Sequence, residues 1–435
     1  MIPSNTSTGS PADTVRRTRK RVIGASFVGN FVEWFDYASY GYLATTISAV
    51  FFPTASPTVG LLATFGVFAI SFVVRPFGGI LWGHLGDKYG RKSALSISIL
   101  IMSGATFVIA ILPTYASVGL LAPVLLLLVR LVQGFSAAGE YAGASAFLAE
   151  YAPDRKRGLH TSVVPASTAA GLLFGSVLAT LLTAGLGGQQ MATFGWRLPF
   201  LLALPLGLVG WYIRSRLEDT PLFRSLEKTE HVARTPMKET FLTYRKPIVL
   251  AFGVTLLNAV GFYMLLSYMP TYLSTELHFG QVQSFIATTI SLITYIAFIF
   301  ASGALSDRVG RKTMLIAASA LFVVLTVPLF ILLGQASFIG VVLIAVLLGA
   351  LLTMNDGTLA CFLTEAFPTR VRYSGFAFSF NTANALFGGT APFVATLLIG
   401  VTGSKLAPAW YLVGAAALTL LAMLSSRETA GKPLT

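Results

Sequence analysis

Six ionisable side chains, Glu33, Asp36, Arg75, Arg130, Glu140 and Asp356, stand inside long apolar stretches. A charge at mid-bilayer costs at least a few kcal/mol, so it normally faces a cavity or a partner. Glu33 and Asp36 are three residues apart and occupy neighbouring parts of one helical face. They lie roughly 17–21 Å beyond the basic cluster Arg16–Arg21, at about 1.5 Å per residue. An acid whose arginine neighbour moves can change its protonation during a cycle. Glu33, Asp36 and Glu140 are thus candidates for a coupling proton, and a static ion pair is the structural alternative for each. Glu140 and Arg75 lie toward one end of their stretches, which favours the structural role for both. Arg130 has two readings: it holds a substrate carboxylate bidentately, or it is the permanent counter-ion of a nearby acid. Asp356 is read as a gate residue.

The neutral groups nearby suggest ligand chemistry. Trp34, Tyr37, Tyr40, Phe262, Tyr263 and Tyr268 are able to box a quaternary ammonium by cation–π contact. Packing and interfacial anchoring is the competing role. Asn258, Asn355, Asn381 and Asn384 either bind substrate or bond across helices. The substrate-binding set expected from these patterns is Arg130, Trp34, Tyr37, Tyr263, Asn355 and Asn384. Other chemistry finds no support. His84, His160, His231 and His278 fall at helix ends or loops, so no buried histidine relay is expected. No metal-ligand spacing, Walker-type loop or convergent nucleophile–base set appears. No cofactor and no enzymatic activity are expected. The single Cys361 cannot form an intramolecular disulfide and reads as packing.

The elements that must position these residues are membrane helices. Mean hydropathy is +0.75, and 55% of residues are hydrophobic against 11% charged. Each helical span needs roughly 20 mostly apolar residues. Twelve such runs lie near 22–51, 58–82, 93–112, 118–147, 159–184, 197–214, 247–273, 281–302, 313–333, 337–361, 373–400 and 406–425. They are too long and too uniformly apolar for barrel strands. Pro165, Pro270 and Pro392 fall inside runs and are able to kink them. Gly78, Gly79, Gly83, Gly134, Gly139 and Gly143 allow close helix approach.

The net charge of +13 reports topology rather than nucleic-acid binding. Of the 30 Lys and Arg, 26 fall in the first tail, the even-numbered gaps and the last tail. The odd-numbered gaps hold Arg197 and Lys405 alone. The positive-inside rule then places both termini in the cytoplasm. The expected layout is a cytoplasmic tail over 1–21, a six-helix bundle over 22–214, a cytoplasmic linker over 215–246, a second bundle over 247–425 and a short tail over 426–435. The basic cluster leads into an apolar run too long for a signal peptide, so the first helix is expected to remain.

The chain repeats itself. Gly-His-Leu-Gly-Asp-Lys-Tyr-Gly-Arg-Lys at 83–92 matches Gly-Ala-Leu-Ser-Asp-Arg-Val-Gly-Arg-Lys at 303–312. Phe-Leu-Ala-Glu-Tyr-Ala-Pro-Asp-Arg at 147–155 matches Phe-Leu-Thr-Glu-Ala-Phe-Pro-Thr-Arg at 362–370. A duplicated membrane unit with charged hinges usually moves something across the bilayer. Asp87 and Arg91, with Asp307 and Arg311, are expected to lock one face and release it as the halves rock; Arg75 is grouped with this gate. Each aspartate is expected near the N-terminus of its own next helix, favoured by the macrodipole.

These loops resemble the signature loop of the major facilitator superfamily, and Arg130-Leu-Val-Gln133-Gly134 resembles its second motif. Gly29-Asn-Phe-Val-Glu33-Trp-Phe-Asp36-Tyr, Arg75-Pro-Phe-Gly-Gly79, Gln133-Gly-Phe-Ser-Ala-Ala-Gly-Glu140-Tyr and Trp196-Arg-Leu-Pro-Phe200 resemble the metabolite:proton symporters. That family carries proline and glycine betaine, α-ketoglutarate, citrate or shikimate. Residues 149–158, 263–273 and 428–434 look most like the proline/betaine carriers, while 381–389 resembles the citrate and α-ketoglutarate branch. The long C-terminal coiled coil of the osmosensing members does not follow helix 12, which argues against osmotic regulation. The resemblance implies an all-α fold of two pseudo-symmetric six-helix bundles, with helices 1, 4, 7 and 10 around a central cavity. It implies a monomeric carrier in the inner membrane whose partners are a small solute, protons and lipid. The expected function is proton-coupled import of proline or glycine betaine by alternating access. Di- and tricarboxylates are the alternative, and a channel or a transport-dead sensor the rivals from other classes.

Overall fold

The computed structural model describes residues 11–216 and 236–434; the side chains of 11–20, Arg91 and Pro236 lie outside what is described. Most of the expected linker, with His231, falls outside it as well. Among the described residues twelve long helical rods follow one another when end-to-end segments are taken together, besides the short helices Tyr115–Val118 and Pro236–Thr243. They are α1 (Pro11–Tyr42 and Ala44–Phe51), α2 (Pro57–Val73 and Arg75–Tyr89), α3 (Arg91–Ile111) and α4 (Leu121–Ala137 and Glu140–Tyr151). Next come α5 (Arg157–Thr161 and Val163–Gln190), α6 (Arg197–Ser215), α7 (Arg245–Phe262 and Met269–Thr275) and α8 (Gln281–Val309). The last are α9 (Arg311–Leu333), α10 (Phe338–Glu365), α11 (Arg372–Ala383 and Ala391–Thr402) and α12 (Ala407–Ser425). Eleven are long and apolar enough to cross a membrane. The first falls short because Asn30, Glu33 and Asp36 dilute it. Helices satisfy their own backbone in hydrocarbon, which is why such runs adopt them. Large apolar side chains such as Val249, Ile339, Val401 and Leu421 stay exposed on the outer surface, where lipid covers them.

Prolines and glycines set the breaks. α7 has a π-helical turn at Tyr263–Tyr268 just before Pro270, and α11 has one at Asn384–Gly388 before Pro392. A proline supplies no N–H and its ring collides with the preceding turn, so the helix widens there. Gly90 and Gly310 close the two repeated loops with the same backbone, φ 94° and 99°. A side chain is strained in that region, which accounts for glycine at both places.

The packing has the symmetry of the sequence repeat. In the first half α1 packs on α5 and α3 on α6; in the second α7 packs on α11 and α9 on α12. Between halves α5 crosses α8, and α2 crosses α11. The α5–α8 crossing is bare backbone: a Cβ on Gly158 would come within 2.4 Å of the Gly303 carbonyl oxygen.

Candidate functional site

The buried charges of the first half form two couplets. In the first, α2 restarts at Arg75, whose Nη2 donates to Glu33 Oε1 at 3.3 Å. The guanidinium lies over Phe72 at 4.1 Å and Tyr37 at 4.6 Å. In the second, Arg130 Nη1 donates to Gln133 Oε1 at 3.0 Å. Gln133 Nε2 then donates to Asp36 Oδ2 and to Thr106 Oγ1, both at 2.8 Å. Arg130 stacks over Tyr40 at 4.3 Å, with Tyr37 and Phe68 at 5.1 and 5.2 Å. The Tyr37 ring therefore contacts both guanidinium groups. All four charged residues are buried. Glu140 belongs elsewhere. Both its oxygens accept from Arg214 of α6, and Arg214 also reaches the Ala25 and Leu95 carbonyls at 3.4 and 3.3 Å. Gly29 leaves room for that arginine, since a Cβ there would lie 1.9 Å from Arg214 Nη2. Arg214 ends the sixth apolar run and is one of the basic residues of the gap that follows it; its burial shows that it is a core residue.

Between the halves lies a narrow cleft with room for on the order of one water molecule, lined by Trp34, Tyr141, Thr168, Asn258, Tyr263 and Asp356 among others. Trp34 packs edge-on to Phe262 at 4.9 Å and lies 5.8 Å from Tyr263. The π-helical turn of α7 begins at Tyr263, one residue beyond Phe262. Tyr141 and Phe380, one from each half, stack at 4.4 Å. Of the expected binding residues, Trp34, Tyr263 and Asn384 line this cavity. Tyr37 is buried one layer behind, against Phe68 and Phe72. Asn355 turns to Asp356. Arg130 does not line the cavity; it sits among rings within the first half. Tyr141, Thr168, Tyr295 and Phe380 were missed. Tyr141 follows Glu140 directly, and Phe380 stands one turn before Asn384; that spacing was the available signal.

A second layer closes the face that carries the repeated loops. Asp87 accepts from the Ser374 amide at 3.0 Å and hydroxyl at 2.7 Å. Asp307 accepts from the Gly158 and Leu159 amides at 2.9 and 3.0 Å. Each aspartate therefore caps a helix start in the opposite half, not its own next helix as expected. A carboxylate at a helix N-terminus meets free N–H groups and the positive dipole end. Arg311 pairs with Asp307 at 2.7 Å inside its own half and reaches Glu365 at 3.5 Å. The pairs that cross between halves are Arg157–Glu365 at 3.4 Å and Arg372–Glu150 at 2.8 Å. These four residues stand at equivalent places in the second repeat, a signal not assigned to the gate. Arg75 does not join this layer, because it pairs with Glu33. The Arg91 side chain lies outside the described residues.

The tail adds to the same face. Glu428 accepts from the Arg311 and Lys312 amides at 2.9 and 3.0 Å, and Arg157 Nη1 donates to the Lys432 carbonyl at 2.6 Å. The opposite face is bridged between the halves too. Tyr42 donates to the Leu266 carbonyl at 2.6 Å, and Gln281 to Thr45 at 3.2 Å. A cleft between two symmetric six-helix halves that are bridged on both faces is the arrangement expected of an alternating-access carrier.

The comparisons with known proteins agree with this geometry. The sequence profile described as Major Facilitator Superfamily matches residues 26–392 and 252–433, and the chain belongs to that family. It is 41% identical to the glycine betaine/proline/ectoine/pipecolic acid transporter OusA of Dickeya dadantii, over 95% of this chain and 84% of that one. It is 39% identical to a proline/betaine transporter of Salmonella typhimurium, over 95% and 85%. Among solved structures it resembles the proton:xylose symporter XylE with a TM-score of 0.80 at 17% identity, covering 96% of this chain and 98% of that one. A partially occluded, inward-open form of XylE from E. coli scores 0.74 at 16% identity, over 96% and 100%.

Proposed function

We propose that this multi-pass membrane protein is a proton-coupled symporter that imports a small zwitterionic solute, glycine betaine or proline, by alternating access. The observation that carries the reading is the central cavity between the halves, walled by Trp34, Phe262 and Tyr263, with the Asp36–Gln133–Arg130 chain one ring behind it. Aromatic faces attract alkylated ammonium groups. The names of its 39–41% identical relatives point to the same solutes. In this reading Asp36 carries the coupling proton, with Glu33 next and Glu140 last, since Arg214 grips both oxygens of Glu140. A proton entering with the solute draws on the membrane potential as well, about 2.3 kcal/mol per charge for each 100 mV. Contacts between the halves on both faces speak against an open channel.

Uptake of labelled glycine betaine and proline into proteoliposomes under an imposed pH gradient tests the function. Concentrative uptake supports it. Uptake blocked by citrate or α-ketoglutarate but not by glycine betaine assigns the protein to organic acids instead. Asp36→Asn is expected to abolish gradient-driven accumulation while leaving exchange of internal for external solute. If Asp36→Asn and Glu33→Gln both still concentrate solute, the proton belongs elsewhere. The orientation proposed has both termini in the cytoplasm of the inner membrane and the protein as a monomer. Single cysteines at Ser117 and Thr229 test it, with external labelling expected at Ser117 alone.

A further inference from the structure

Asp356 is fully buried in α10, and its charge has no protein counter-ion among the described residues. Its Oδ1 accepts from Asn258 Nδ2 and Asn355 Nδ2, both at 2.9 Å. Its Oδ2 accepts from the Tyr295 hydroxyl at 2.6 Å. All three donors are neutral. By contrast Glu33, Glu140, Glu150, Glu365 and Asp307 each pair with an arginine. Neutral donors orient a carboxylate but leave its net charge uncompensated, and a buried charge of that kind needs an opposite one.

The same cavity holds polar groups short of the opposite partner. Trp34 Nε1, Tyr141 Oη and Tyr263 Oη are buried and hydrogen-bond to nothing among the described residues. All three residues line the cavity with Asp356. The lining thus offers an anion in search of a cation together with donors in search of an acceptor. The rings of Trp34, Phe262 and Tyr263 pack on one another in the same lining. A zwitterion with an alkylated ammonium and a carboxylate about one methylene apart offers both charges to this set once the cleft widens to admit it. Citrate does not, because it brings more negative charge to Asp356.

We propose that Asp356 is the anchor for the cationic nitrogen of the substrate, and that Trp34, Tyr141 and Tyr263 donate to its carboxylate. This rests on the zwitterionic-solute reading above. Asp356, Asn258 and Tyr295 belong to the second half, while Trp34 and Tyr141 belong to the first. The substrate then bridges the halves, so its binding favours the occluded state.

The test is equilibrium binding to the purified full chain, with labelled glycine betaine competed by 3,3-dimethylbutanoate. That compound is the carbon isostere of glycine betaine, with the same shape and carboxylate but no positive charge. The wild type is expected to prefer glycine betaine by about a hundredfold, the size of a desolvated charge pair. Asp356→Asn should lose most of that preference by weakening glycine betaine alone, and Asp356→Glu should keep part of it. Equal competition by the isostere in the wild type overturns the proposal without any variant that must fold. Unchanged glycine betaine binding in a folded Asp356→Asn protein overturns it too, while leaving the function in place. A wild type that binds citrate or α-ketoglutarate and neither glycine betaine nor proline removes the substrate class, and this proposal with it.

Discussion

Arg130 and Glu140 show how much a single side chain's neighbours decide. Both stand ten residues apart on α4, yet one faces rings and an amide and the other a bidentate arginine. Lysine keeps the charge of Arg130 but not its planar fork or its stacking. Arg130→Lys is therefore expected to lower transport more than tenfold by breaking the chain to Asp36, while equilibrium glycine betaine binding changes by less than about threefold. A large loss of binding instead makes Arg130 a substrate clamp. Glu140→Gln leaves Arg214 buried without its counter-charge, and removing one partner of such a pair costs about 3–5 kcal/mol. The expected result is a lower melting temperature in detergent, partly restored when Arg214→Met is added. Glu33→Gln should cost less, since Arg75 keeps its stacking on Phe72 and Tyr37.

At the scale of elements, the ends of helices are satisfied from a distance. The start of α9 follows Gly310, whose backbone leaves the Arg311 and Lys312 amides pointing at Glu428, more than a hundred residues later. Partial burial works against the charged form of Glu428, but the amides of Ala430, Arg311, Lys312 and Thr429 outweigh it and hold its pKa below the ordinary 4.5. A carboxylate with a lowered folded-state pKa stabilises docking fully above the ordinary value; that contribution is lost as pH falls through the lowered one. Hydrogen exchange of the Arg311 and Lys312 amides should thus rise as pH drops below the ordinary glutamate range, after correction for intrinsic rates. Glu428→Gln should raise it at neutral pH and flatten the pH dependence. Exchange unaffected by either change would show that the tail does not cap α9.

For the whole molecule, the decisive feature is the reciprocal exchange of caps and ion pairs between halves. Asp87 caps α11 while Asp307 caps α5, and Arg157–Glu365 mirrors Arg372–Glu150. If the halves rock as proposed, these contacts break together, and each then stabilises one state of the cycle and not the fold of either half. Asp87→Asn removes a charge from the α11 dipole and weakens the amide and hydroxyl contacts at Ser374. The expected outcome is normal expression and melting temperature, transport reduced several-fold, and greater access of thiol reagents to a cysteine placed at Phe380. Normal transport by a well-expressed Asp87→Asn protein counts against the gate.

Much of this molecule is written in its order of residues. Apolar runs of membrane-spanning length leave the backbone no alternative to helix, and the two repeats dictate two matching halves. The list of intramembrane charges was legible for the same reason: a charge inside an apolar run is conspicuous. Which charge meets which was not. Sequence spacing relates residues along one helix, whereas Glu33–Arg75, Glu140–Arg214 and Asp87–Ser374 join helices whose contact depends on how the rods cross. Arg214 looked like a linker charge because it ends an apolar run, and packing against Gly29 turned it inward. Asp356 looked like a gate residue because its partners, Asn258 and Tyr295, come from two other helices. Only the assembled bundle could show a buried carboxylate with three neutral donors and no cationic partner among the described residues.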